Sequence, residues 1–183
     1  MKYFTLTIIS LCFYTFSFSQ KDMPVEVTPA IEKKINKEVV KEIDQLKVKL
    51  SKQNDFPIAN EFTIDTFRIN LYQQKYMEYD WSTAGMRKAT YDAANKYDSL
   101  LNKYYKKLMT ILKSNDKTTL VNTQKSWITF RDNELKLIQT ISKDEYSGGG
   151  TMQQLIDASS YLEIITQRAI TLYQYYDRAS QGL

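Results

Sequence analysis

From residue 30 onward, apolar residues recur every three or four positions, with lysine, glutamate and asparagine filling the gaps. That is the period of an α-helix burying one stripe, and it predicts five helices. The first covers residues 30–52, with Ile31, Ile35, Val39, Ile43, Leu46 and Leu50 in line. Its stripe is short for a coiled coil, so it predicts a helix folded back on its own chain rather than a dimerising one. Asn54 to Asn60, which includes Pro57, is a break. A second helix over 64–79 carries Ile64, Phe67, Leu71 and Tyr72, with Thr63 as its cap. The alternation Phe62-Thr63-Ile64-Asp65 leaves a short strand open there. The third helix, 83–112, is capped by Ser82-Thr83 and has the longest stripe: Met86, Ala89, Ala93, Tyr97, Leu101, Tyr104, Leu108 and Ile111. A turn at Lys113–Asp116 leads into a fourth over 117–142, with Leu120, Ile138 and Ile141 on its apolar face. The fifth, 152–178, follows Gly148-Gly149-Gly150 and carries Leu155, Ser159, Leu162, Ile165, Ala169 and Leu172. These elements predict an all-α fold, a helical bundle of three to four core helices with an additional N-terminal helix.

The fourth stripe differs from the others in chemistry. Gln124, Trp127, Arg131 and Glu134 are spaced three, four and three apart and share one helix face. Burying that face obliges each polar group to find a partner, because an unpaired buried charge is costly. Candidates lie on neighbouring helices. Asp98 and Asn102, with Tyr105, flank the third stripe, and Arg168 sits beside the fifth. Two readings follow. The residues form a network that sets helix register with Trp127 as its apolar floor, or they line a cleft for a ligand or partner. In the first, Arg131 bridges to Asp98, assisted by Glu134. The triple glycine reads as a helix-start loop with positive φ, an exposed N–H loop for an anion being the alternative. The run Tyr173-Gln174-Tyr175-Tyr176 reads as helix surface or an aromatic patch.

Residues 1–19 have the three-part layout of an export signal: Lys2, an apolar run from Leu6 to Phe16, then Ser17 and Ser19 at −3 and −1. Cleavage is expected before Gln20, giving a secreted or periplasmic chain with no transmembrane segment. Lipidation of Cys12 is not favoured, since it follows the bulky Leu11 and lies within the apolar run. Cys12 is the single cysteine of 183 residues and histidine is absent, so His-based acid–base work, thiol chemistry and the usual zinc sites are excluded. Carboxylate-only metal or glycosidase chemistry is allowed, but no carboxylate pair stands out. The net charge of +4 comes from residues 81–183, and no basic run or motif suggests nucleic acid. Neither a catalytic residue, a cofactor nor a metal is expected.

Residues 82–173 carry a pattern of spaced motifs: Ser82-Thr83-Ala84-Gly85-Met86, Tyr97-Asp98, Leu101-Asn102 with Tyr105, Gln124-x-x-Trp127-Ile128-x-Phe130-Arg131-Asp132-x-Glu134, then Gly149-Gly150-Thr151 and Arg168-Ala169. This order and spacing resembles the DUF1311 family, the lysozyme inhibitor LprI N-terminal domain family. Many members carry three cysteines where this chain has Ala89, Leu135 and Ser160, so packing alone must hold these helices. The resemblance implies a helical, exported, protein-binding domain, with a lysozyme as the implied partner. The chain thus divides into a signal peptide 1–19, a helical extension 20–80 and an LprI-like domain 81–183. The expected role is non-catalytic protein binding in the cell envelope; the alternatives are a non-inhibitory envelope scaffold and a peptidoglycan-associated protein. The candidate structural or partner-binding residues are Asp98, Asn102, Tyr105, Gln124, Trp127, Arg131, Asp132, Glu134, Gly149, Gly150 and Arg168.

Overall fold

A computed structural model describes residues 23–53 and 57–181. The export signal expected at 1–19 lies outside these residues, as does part of the break expected at Asn54–Asn60. The described residues are all-α: α1 Pro29–Gln53, α2 Pro57–Tyr79, α3 Thr83–Ile111, α4 Ser114–Ile141, the single turn α5 Asp144–Ser147, and α6 Thr151–Ser180. Pro57 begins α2 at the position where a missing N–H costs nothing, so Thr63 is interior to the helix and Phe62–Asp65 is not a strand.

The start of α3 is built by side chains. The Ser82 hydroxyl donates to Asp80 and accepts from the Gly85 N–H at 3.0 Å, while the Ser82 N–H donates to Asp80 at 3.2 Å. Gly85 is needed there for space, because a Cβ would enter the Asp80 carboxylate.

The centre of the molecule is the packing of α3 on α6. Tyr91 meets Tyr161 at 6.1 Å and Tyr104 meets Tyr173 at 5.4 Å, so the two helices run parallel. Buried alanines on both, among them Ala93, Ala94, Ala158 and Ala169, permit close backbone approach. Tyr97, Leu100, Leu101, Tyr104 and Leu108 fill one side of this core and Ile165 and Leu172 the other. Antiparallel α2 adds Ile69 and Phe62, with the Phe62 ring stacked on Tyr173 at 3.9 Å and edge-on to Tyr104 at 5.5 Å. Tyr173 and Tyr176 are therefore part of the packing rather than surface, and Gln174 and Tyr175 are the exposed residues of that run. On this flank Lys103 pairs with Glu61 and Asp65, and Lys107 with Glu61.

A second apolar cluster joins α1 to α2. Ile35, Val39 and Ile43 are buried against Leu71, with Ile31, Ile64, Phe67 and Tyr76 around them. The first stripe thus folds back on its own chain as expected. Helix α2 serves both clusters, giving Ile69 to one and Leu71 to the other.

Candidate partner-binding surface

Parallel α3 and α6 require a return path, and α4 supplies it, antiparallel to α6. It is the least buried of the long helices in the second half of the chain, with Leu120 its one buried residue. Two polar contacts hold it to α6. In the middle, Arg168 donates from Nε and Nη2 to Gln124 Oε1 at 3.0 and 2.8 Å. At the tip, the Ser142 hydroxyl donates to Asp157, and Gln153 donates to both, at 3.1 Å to Ser142 and 3.3 Å to Asp157.

The stripe Gln124, Trp127, Arg131 and Glu134 does share one half-buried face. Its partners differ from those expected. Arg131 donates from Nε and Nη2 to its sequence neighbour Asp132 at 2.9 and 2.7 Å. Asp98 accepts from Asn102 Nδ2 at 3.0 Å on its own helix. The expected Arg131–Asp98 bridge is absent because α4 lies along α6, and each charge takes a nearer partner. The guanidinium that enters the core is Arg168, only 8% exposed. Two cations lie over the Trp127 ring, with the Arg131 Cζ 5.4 Å and the Arg168 Cζ 5.7 Å from its centroid. Burial pushes the Arg168 guanidinium below its ordinary value, and nearby Tyr175 opposes that shift. Tyr105 packs at the edge of the core.

The structure thus unites Gln124, Trp127, Arg131 and Arg168, with Glu134 lining the adjoining groove, and leaves Asp98–Asn102 as a separate pair. That groove, between α4 and α6, measures about 510 Å³ and is lined by Trp127, Phe130, Glu134, Ile138, Glu163 and Arg168 among others. Asp132 stays on the exposed side of α4. Gly149 and Gly150 have φ of 74° and 95°, as a helix-start loop requires, and the Asp144 carboxylate lies against Gly149 where an anion was the alternative.

Sequence reasoning missed a second, exposed apolar stripe on α4, which begins at the rim of this groove. Phe130 is 54% exposed, Leu137 51% and Ile141 53%, and Tyr146 in α5 and Met152 at the start of α6 are exposed as well. Ile141, expected on the buried face, is therefore outside. The signal was present: Phe130, Leu137 and Ile141 recur at seven and four, a second stripe on the same helix. Among the described residues no three or more histidine, cysteine or acidic side chains group as metal ligands, and no helix is long and apolar enough to cross a membrane.

No curated protein and no solved structure matches the chain. A family model, lysozyme inhibitor LprI, matches residues 75–172, a span running from the end of α2 through the α3–α4–α6 unit and containing every candidate residue above. With more than half of its length matched, the chain belongs to the lysozyme inhibitor LprI family.

Proposed function

We propose that the chain is an exported, non-catalytic protein-binding domain of the cell envelope, and that the exposed apolar stripe of α4 docks a lysozyme. The carrying observation is the second apolar stripe: Phe130, Leu137 and Ile141 stand exposed on a helix that buries little else. An exposed apolar surface on a well-packed domain marks an interaction site. Arg131 stands on the same helix, ordered by Asp132 and stacked on Trp127, and arginine beside aromatic rings is the usual composition of an interface hot spot. A net charge of +4 gives no steering toward a basic lysozyme, so affinity must come from apolar burial. In this proposal residues 81–183 form the binding domain and residues 20–80 buttress it, with residues 1–19 removed as an export signal before Gln20.

A turbidity assay of lysozyme on bacterial cell walls, paired with a pull-down, tests the reading. The full chain should slow clearance. Phe130→Glu with Leu137→Glu should weaken inhibition about tenfold or more while leaving the melting temperature almost unchanged, since the replaced side chains are exposed. Unimpeded clearance, with the chain retained on the walls themselves, would instead favour a peptidoglycan-associated scaffold.

A further inference from the structure

Arg168 has an unusual position for a buried cation. It is 8% exposed, and no carboxylate pairs with it among the described residues. A guanidinium carries five N–H donors. The Nε–Nη2 edge is spent on one acceptor, Gln124 Oε1. The other three donors, along the Nη1–Nη2 edge, have no protein partner among the described residues. That free edge is the fork that takes a carboxylate through two parallel hydrogen bonds.

Arg168 lines two grooves. The one between α4 and α6 contains Glu134 and Glu163, and so repels an anion. The other is closed on its far side by the end of α3. It has a volume of about 370 Å³ and is lined by the apolar Leu108, Leu112 and Leu120 and by Arg168, Tyr175, Arg178 and Asp116. Two guanidiniums against one carboxylate leave it positive. Its volume is at the lower end of small-ligand pockets, about 300–1,000 Å³.

We propose that this groove between α3, α4 and α6 is a binding site for a small organic carboxylate with an apolar body, its head on the free edge of Arg168 and its tail against Leu108, Leu112 and Leu120. The site contains none of Phe130, Leu137 and Ile141 and does not depend on lysozyme binding. A free short-chain acid and the C-terminal carboxylate of a peptide both present this chemistry.

Hexanoate, N-acetyl-leucine, hexanol and inorganic phosphate are titrated separately into the full chain, with leucine methyl NMR as the readout. Both carboxylates should shift the methyls of Leu108, Leu112 and Leu120 saturably, and the tighter of the two names the source. Hexanol and phosphate should each bind about tenfold more weakly, lacking the charge or the tail respectively. Gln124→Glu gives Arg168 its own carboxylate in a nearly isosteric fold and should weaken hexanoate about tenfold. Arg178→Gln, at an exposed position, should weaken it about threefold or more. The proposal is overturned if hexanoate produces no saturable shift, if hexanol or phosphate matches it, or if neither variant changes its affinity.

Discussion

Removing the partner of Arg168 tests how the buried cation is tolerated. Gln124 is its one hydrogen-bonding side chain among the described residues, so Gln124→Ala should cost about 1.5–3 kcal/mol in urea unfolding, the range for a hydrogen bond to a charged group. Arg131 pairs at the surface with a half-exposed Asp132, so Arg131→Met should cost under about 1 kcal/mol. Equal costs would mean that the two arginines are equally buried, against the structure. Tyr76 makes a second residue-level prediction. Burial first, then its hydrogen bond to Glu32, push its phenol up to about 12, with Asp92 and Tyr72 also facing it. A tyrosine in the unfolded chain ionises near 10. Between those values the folded chain holds the proton and the unfolded chain does not. This contribution to stability is therefore whole below about pH 10 and is lost as pH rises toward 12. Tyr76→Phe should flatten the fall in melting temperature across that window; an unchanged slope would place the alkaline sensitivity elsewhere.

Among elements, the α5–α6 junction shows how backbone geometry constrains sequence. Three successive glycines have positive φ, and of these Gly149 alone also lies against a side chain, with Asp144 Oδ1 2.5 Å from where a Cβ would stand. Gly149→Ala should lower stability by about 1–2 kcal/mol from the left-handed conformation, plus whatever displacing Asp144 adds. Thermal unfolding of this variant beside Gly148→Ala separates the two terms, since Gly148 shares the φ but has open space around it. The junction matters because it aims α6 back along α4 and brings Asp157 to Ser142. Helix α4 is then held at its middle and its tip by polar contacts, which leaves its second apolar stripe outward.

For the molecule as a whole, the division of labour between two apolar clusters is the testable feature. Ile35 is fully buried at the centre of the α1–α2 cluster, whereas Val40 on the same helix is 56% exposed. Ile35→Ala should cost about 2–5 kcal/mol, the usual range for truncating a packed core residue. Val40→Ala should stay within about 0.5 kcal/mol. Equal effects in denaturant unfolding would mean that α1 does not dock on α2 in solution. Because α2 contributes Ile69 to the main core and Leu71 to the other, loosening α1 should also be felt at α3.

The periodicity of apolar residues by itself determined the long helices, because a 3.6-residue repeat shows which face of a helix leaves water. It placed Ile35, Tyr97, Leu101, Ile165 and Leu172 inside, and it marked the polar face of α4 as one half-buried stripe. The family motifs were legible for the same reason, since they are spacings along single helices. What the spacing of one helix cannot carry is the distance and rotation of its neighbour. Only the tertiary structure decided that α3 and α6 lie parallel and close through small residues, leaving α4 beside α6. That placement made Arg168 rather than Arg131 the buried guanidinium, gave it Gln124 in place of a carboxylate, and turned Phe130, Leu137 and Ile141 toward water.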